Sequence, residues 1–594
     1  MKQLSGKSII GWFVGVLFLK FLLFDLTWAF DTTFSGFQFP LGYLSKLALC
    51  CILALPFLWL RSRWYVFTVC IIVDILLISN LMYFRSYYTV IPLSSYALVG
   101  NLADFQESVW ESLRPADVVF PLTTLLLAVV YRKVDLKSGL GRDWCRVALY
   151  MGVTASGCVA VIGVHSLCKG GYKDAYEDLM YDYSTCGAAV YTIPGTWLYS
   201  VVADRHELTP EVRREIESWL DDRPVQDGST PVVVEPRDNC IIILAESFES
   251  WLLETTFEGI ELTPNLNRYL REENVLYAPN MLSQVKGARS IDAQLILHTG
   301  LLPVAYGAFS YRFPHHEYPS LDKAFKERYP GAVTASFTVD KKIVWNAVIA
   351  AQDFGIDRLL DKPFFNLDVA TGPRKRLGDH SFLRQSADKL EREDIFKTGG
   401  HSLVQCVTYS GHTPFIIPDS LKKIHIPERY PERLRNYMEV ANYTDRAIGE
   451  FIDRLRRNPK FASTMIVITG DHEGIGIDRQ KLREDPAVAR VLSPGQFTPV
   501  IVLNSPVSMR YDKVLGQMDM YPTLLQLLGL DRYHWRGMGQ SILDHAKKGV
   551  AVSPLMEVVG DGSLSQDELR HYRDAYKVSD MMISCDYFKS VCQN

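Results

Sequence analysis

Five apolar stretches crowd the first 170 of the 594 residues, and nothing constrains the fold of this chain more. They cover approximately residues 9–30, 41–60, 65–84, 116–131 and 147–167. A bilayer core about 30 Å thick needs roughly 20 apolar residues of helix, which four of the five approach and the fourth stretch falls short of. The first is an anchor rather than a signal peptide: Lys20 and Asp25 interrupt it, no small-residue cleavage site follows, and more spans come after. Basic residues set the orientation. Lys2 and Lys7, then Arg61 and Arg63, then Arg132, Lys133, Lys137, Arg142 and Arg146 mark cytoplasmic segments, whereas 85–115 is poor in them. With an odd number of spans, everything after Cys168 is expected outside. Charges inside the spans (Lys20, Asp25, Asp74) can mark a transport path. With nothing else to suggest one, the favoured reading is structural: Lys20 and Asp25 snorkel or pair along one helix, and Asp74 hydrogen-bonds a neighbour.

The soluble remainder divides in two. Residues 169–238 form a helical linker, in which Thr209-Pro210-Glu211 opens a helix with a capping residue, Pro in the first turn and an early acid. Residues 221–237, with their prolines and Asp-Gly-Ser-Thr, lead into the next domain. From 239 to 594 strands and helices alternate. Residues 241–244, 402–407, 465–469 and 499–503 are buried strands, with 332–336 a weaker one. Helices are expected over 263–273, 320–328, 433–457 and 520–528. That alternation predicts an α/β domain with a largely parallel sheet behind a membrane domain at 1–168. A net charge of −4 without a basic stripe excludes a nucleic-acid binder.

Two strands end on metal-ligand chemistry. Glu246 stands where the first should stop, and Asp471-His472 follow the 465–469 strand. In open α/β sheets sites gather beyond strand carboxyl ends. Glu246 alone could be a solvated loop acid; two such endings suggest one shared metal site. Ser290, in K-G-A-R-S-I-D-A-Q-L, precedes an amphipathic run and sits near a helix N-terminus, where N–H groups and the dipole favour an anion. A metal would activate its hydroxyl, though a serine at such a position also serves as a simple N-cap. Six of the eleven cysteines lie at or outside the outer membrane face. Cys240 and Cys406 fall on core strands and are expected as buried thiols. Cys585 with Cys592 is the expected disulfide, and Cys168 with Cys186 a weaker suggestion.

Taken in order, ESFE at Glu246, GARSIDAQ around Ser290, VWN at 344–346, SGHTPF at 410–415, TGDHEG at Asp471-His472 and QMDMYPTLLQLLGL at 517–530 resemble the lipoteichoic acid synthase family. That family lies in the alkaline-phosphatase/sulfatase-like superfamily. The resemblance covers nearly the whole chain: five transmembrane helices, a linker and an extracytoplasmic α/β domain. It implies Ser290 as nucleophile, with Glu246, Asp471, His472 and the Ser290 oxygen as ligands of one divalent metal ion. Manganese or magnesium is usual among the synthases, zinc among phosphoethanolamine transferases. His412 would lie by the substrate phosphate and Trp345 would wall the headgroup pocket. Alternatively, Trp345 is core and His412 a loop hydrogen-bonder. The implied reaction is transfer of phosphoglycerol from phosphatidylglycerol through phospho-Ser290 to an envelope glycan or lipid acceptor. Its implied location is the bacterial cytoplasmic (inner) membrane, with the catalytic domain extracytoplasmic (periplasmic). Two departures bear on the substrate: Ala347 and Thr338 stand where the synthases carry an arginine and a histidine. Lys341, Lys342 or Arg289 could replace the lost phosphate donor. A phosphoethanolamine transferase acting on lipid A or a glycan is the alternative, disfavoured by the few cysteines. A sulfatase is excluded by Asp292 and Gln294, where its maturation motif needs Pro and Arg. A catalytically silent membrane scaffold would have lost a ligand or the nucleophile, and all four are present.

Overall fold

The apolar stretches fold as helices in the computed structural model, which describes residues 6–31, 41–87, 90–91, 93, 96, 113–131, 144–168, 171, 192–195, 197–198, 207–222, 234–305, 307–342, 344–372, 375–476, 478–560 and 562–592. Two units divide between Arg205 and His206. The first contains α1 (Gly6–Asp31), α2 (Leu41–Ala54), α3 (Phe57–Leu60), α4 (Arg63–Tyr87), α5 (Val119–Tyr131) and α6 (Trp144–Cys168). By length and composition α1, α4 and α6 can each cross a membrane, while α2 and α5 are shorter. Helix length therefore carries three of the five expected spans. Pro56 separates α2 from α3, and Arg61 turns left-handed (φ 44°) before α4 begins. Lys2, Arg132, Lys133, Lys137, Arg142 and most of 88–112, on which the orientation rests, lie outside the described residues.

The intramembrane charges pair between helices, which corrects the expectation of pairing along α1. The Lys20 ammonium is wholly buried. It donates to Asp74, to the Phe120 carbonyl (2.9 Å) and to Thr124 Oγ1 (2.9 Å), filling its three donor positions. Thr124 in turn donates to Asp74 Oδ2 at 2.6 Å, so α1, α4 and α5 share one polar knot. Asp25 accepts from Lys46 of α2 at 2.6 Å. A charge in this setting persists only with its partner.

The second unit is built on one nine-stranded sheet. Its strands are β1 (Asn239–Ala245), β2 (Val275–Leu282), β3 (Val333–Thr338), β4 (Arg358–Leu360), β5 (Ser402–Val407), β6 (Met465–Gly470), β7 (Phe497–Leu503), β8 (Met509–Arg510) and β9 (Leu515–Gly516). Their order is β8-β2-β7-β6-β1-β5-β3-β4, with β9 beside β2. From β6 to β4 all pairs are parallel; β7 is antiparallel to both β6 and β2. The sheet is thus mixed on one side of β1. Along β1, Cys240, Ile242 and Leu244 enter one apolar cluster and Ile241, Ile243 and Ala245 the other. Helices cover both faces, which is why the strand is continuously apolar instead of alternating.

Helices α7 (Pro210–Asp221), α8 (Ser290–Thr299), α9 (Glu432–Arg456) and α10 (Gln566–Ser584) matter below. Thr209 caps α7 as expected, accepting from Val212 N at 3.3 Å. Trp219 of α7 stacks on His571 of α10 at 4.1 Å, and its indole N–H donates to the His571 carbonyl. The helix in the expected linker thereby packs within the second unit. Most of the linker after it, 223–233, lies outside the described residues. The helix expected over 263–273 is only Pro264–Tyr269. Asn274 (φ 57°) then turns the chain into β2. Cys240 and Cys406 are buried thiols as expected. Cys585 is also a free thiol, against the expected bridge to Cys592, whose side chain lies outside the described set. Cys168 is free as well, and Cys186 lies outside the described residues.

Candidate active site

Register brings the two acids together. Ala245 of β1 pairs with Gly470 of β6, so the next residues, Glu246 and Asp471, leave adjacent parallel strands side by side, about 4.8 Å apart. The chain then closes tightly around them. A Cβ on Gly470 would lie 2.0 Å from the Phe248 carbonyl oxygen, and one on Gly411 would lie 2.1 Å from the carbonyl of Glu246. Only glycine permits these approaches. Ser247 (φ 54°) and Arg289 (φ 50°) hold left-handed backbone beside the same residues, strain of the kind that collects at functional sites.

Four expected residues converge. The ligand atoms of Glu246, Asp471 and His472 lie within 4.8 Å of one another, and all three residues are buried. Ser290, the first residue of α8, donates its hydroxyl to Glu246 Oε2 at 3.3 Å and stands 3.4 Å from His472 Nε2. Asp471 Oδ1 accepts from the backbone N–H groups of Ser247 (2.7 Å) and His472 (2.8 Å), whereas its Oδ2 is buried without a hydrogen-bond partner. Such an orphan is costly unless something else occupies it. His472 Nδ1 lies 2.9 Å from the Glu473 carbonyl and 3.0 Å from Arg289 Nη2, and its Nε2 is turned to Ser290 and the two carboxylates. Two carboxylates, an imidazole nitrogen and a hydroxyl form a donor set that suits a hard or borderline divalent cation. The residues present fit a metal.

The electrostatics agree. Burial, and then the Asp471 charge, push the Glu246 carboxyl well above the carboxylate range. Burial, reinforced by Arg289, holds His472 below its usual value and so neutral. For Glu473 burial works upward, yet the Arg289 charge and its hydrogen bond outweigh it and leave the carboxyl below its usual value. Two buried acids face each other, with the Arg289 charge acting on Glu246 against that of Asp471, and a cation between them would relieve the repulsion.

Several supporting residues carry no clear signal in the sequence. Asp292 turns back to accept the N–H groups of Lys286 (2.9 Å) and Ala288 (3.1 Å), fixing the loop before Ser290. Arg289 pairs with Glu473, which also accepts from Ser283 at 2.9 Å. Thr408, just past β5, caps the Glu246 N–H at 3.0 Å. Glu249, the second acid of ESFE, is wholly buried; it accepts from Gly474 N (2.9 Å), Ile475 N (2.7 Å) and Arg479, fastening the loop behind His472. An acid three residues beyond Glu246 in apolar surroundings was the available hint. Glu249→Ala would leave Arg479 buried and unpaired. It is expected to destabilise the unit by about 3–5 kcal/mol, read as a lowered Tm in detergent, while Glu249→Gln costs less. Equal Tm values for Glu249→Ala and wild type would refute the clamp.

The two expected substrate residues are placed differently. His412 follows Gly411 on the loop that presses against Glu246; its ring stacks on Tyr409 at 5.2 Å and Nδ1 contacts the Thr413 carbonyl at 2.7 Å. Trp345 lies on a left-handed turn (φ 54°), half-buried against one core cluster, with its carbonyl accepting from Ser310.

With this geometry in hand, two family models divide the chain. Residues 1–167 match the lipoteichoic acid synthase N-terminal domain, and residues 238–530 match the sulfatase domain. The chain joins a lipoteichoic acid synthase N-terminal domain to a sulfatase domain. It is an enzyme of the sulfatase superfamily and a multi-pass membrane protein. The lipoteichoic acid synthase of Staphylococcus saprophyticus is 24% identical over 568 residues, 89% of this chain and 85% of the relative. Among solved structures, the lipoteichoic acid synthase LtaP from Listeria monocytogenes is similar at 21% identity and TM-score 0.54 over 64% of this chain and 98% of that one. The lipooligosaccharide phosphoethanolamine transferase A (EptA) from Neisseria meningitidis, at 12% identity and TM-score 0.50, covers 89% of this chain and 96% of its own. Both likenesses support the fold described above.

Proposed function

We propose that the protein is a divalent-metal-dependent phosphoglycerol transferase acting at the outer face of a bacterial cytoplasmic membrane. The donor is phosphatidylglycerol, the intermediate is phospho-Ser290, and the acceptor is a hydroxyl of an envelope glycan or glycolipid. The observation that carries this reading is Ser290 Oγ, 3.3 Å from Glu246 and 3.4 Å from His472, at the first turn of α8 beside the unpartnered Asp471 Oδ2.

Glu246, Asp471, His472 and Ser290 would hold the cation, manganese or magnesium before zinc given an oxygen-rich set. When bound it supplies Lewis-acid stabilisation of phosphoryl charge and lowers the pKa of the serine hydroxyl. Ser290 Oγ gives up its proton and bonds to phosphorus as the bond to the diacylglycerol oxygen breaks; that oxygen takes a proton and diacylglycerol leaves. An acceptor hydroxyl then bonds to the same phosphorus while the Ser290 O–P bond breaks, restoring the serine. The N-terminus of α8, which Ser290 opens, would add its dipole to the stabilisation of the developing charge. His412 would contact the transferred phosphate and Trp345 the glycerol.

The test uses the detergent-purified full chain with manganese and fluorescent phosphatidylglycerol or phosphatidylethanolamine, following diacylglycerol release. Release from phosphatidylglycerol alone is expected. Release from phosphatidylethanolamine alone would overturn the donor assignment and fit Ala347, which replaces the synthases' arginine. Release from neither by metal-loaded protein would overturn the transferase reading.

A further inference from the structure

The parallel strands deliver their carboxyl ends to one edge, so β3 and β4 open on the edge that carries Glu246 and Asp471. In the sheet β3 is two strands from β1, roughly 10 Å at the usual strand spacing. Beyond β3 and β4 lies a cavity of about 430 Å³ floored by Val339, Pro363, Phe365 and Leu377. Its lining is cationic, with Lys341, Lys342, Lys362 and Lys375 beside the buried Arg376. Of the acids nearby, Asp340 pairs with Arg376 (2.7 Å), Asp361, which also lines the cavity, accepts the Lys342 N–H (2.9 Å), and Asp368 takes Ser381 and Arg384. Among the described residues, the four lysine ammonium groups form no ion pair.

Large apolar side chains protrude beside this cavity. Phe364 is 56% exposed, Leu367 55% and Ile416 45%, whereas the other exposed large apolar side chains among the unit's described residues, Leu555 and Val591, lie far away in sequence. The patch is continuous with the site. Gly372 N donates to the Ile416 carbonyl at 2.9 Å, tying the hairpin that bears Lys375 to the loop carrying His412. Lys362 N donates to the Asp340 carbonyl at 3.0 Å.

We propose that this edge of the catalytic unit docks on an anionic phospholipid surface. Phe364, Leu367 and Ile416 enter the headgroup region and the four lysines meet lipid phosphates. A soluble anion would satisfy the lysines but leave the three apolar side chains wet; a lipid surface takes both. The proposal rests on the reading of the donor as a membrane phospholipid, whose phosphate must reach Ser290 while its chains stay in the bilayer.

The test places the full chain in nanodiscs with an environment-sensitive fluorescent amino acid substituted at Leu367 or, as control, at Leu555. Lipids spin-labelled at the headgroup are expected to quench position 367, several-fold more strongly when phosphatidylglycerol is added to phosphatidylcholine, and not position 555. Each lysine near an anionic surface contributes about fivefold to binding. The combined K362E/K375E variant, which spares the candidate phosphate donors Lys341 and Lys342, should therefore lose quenching at 367 and raise the apparent KM for bilayer phosphatidylglycerol at least about tenfold, with kcat kept. A Phe364→Ser/Ile416→Ser variant, read by quenching at 367 in the same way, provides a second arm if the charge reversals fail to fold. No quenching at 367 in anionic discs, or equal quenching at 555, overturns the docking surface. So does protection of the lysines from acetylation by inorganic phosphate alone without quenching at 367, which would assign the cavity to a soluble anion. Quenching at 367 without diacylglycerol release from any donor would instead overturn the transferase reading and leave the docking surface standing.

Discussion

Ser290→Ala is expected to abolish diacylglycerol release, with a loss on the order of 10⁴-fold or more, because no other hydroxyl shares its position. Among the described residues, Ser290 Oγ is the hydroxyl that contacts both Glu246 and His472, whereas Ser247 Oγ contacts Glu246 alone. The replacement removes one neutral ligand and one hydrogen bond, and leaves Glu246, Asp471 and His472 in place. Metal affinity should therefore weaken but remain measurable, and the fold should persist, since α8 is held by Asp292 and by its apolar face. Wild-type protein given phosphatidylglycerol without acceptor should carry a phosphoglyceryl adduct on the peptide containing Ser290, detectable by mass spectrometry and absent from the variant. Transfer near the wild-type rate by Ser290→Ala, or an adduct on another residue, would sink the nucleophile assignment.

The sequence exposes the core strands because burial on both faces demands unbroken apolar runs; β1, β5 and β6 stand close to where their residues predict. Glu246, Asp471 and His472 were legible for a related reason, as polar residues abruptly ending such runs. Strand β2 was not, since Tyr277, Pro279 and Asn280 break its pattern while β7 and β9 supply its partners from more than 200 residues away. The antiparallel placement of β7 likewise depends on tertiary pairing, which periodicity does not encode. Lys20 and Asp25 show the same limit within the first unit. Five positions apart, they invite a pairing along α1, yet each finds its partner on another helix. Glu249 and Asp292 are residues of recognisable motifs whose roles appear only once the loops they hold are folded.

Asp471→Asn is expected to lose metal and activity together while keeping the fold. The Asn carbonyl can still accept from Ser247 N and His472 N, as Asp471 Oδ1 does now. The amide replaces Oδ2, the buried oxygen that lacks a partner, with a donor that repels a cation. Affinity for manganese should fall by more than about 100-fold, exceeding what a supporting residue contributes, and turnover should fall at least as far. Thermal unfolding separates this from simple destabilisation. Manganese at 100 times its Kd should stabilise the wild type by about 2.7 kcal/mol. The same addition should leave the Tm of Asp471→Asn unchanged. Chelation should bring the wild type to the variant's activity, and manganese should restore only the wild type. A variant that binds manganese normally and still turns over would show that Oδ2 faces no metal, and the carboxylates of β1 and β6 would then need another explanation for their burial side by side.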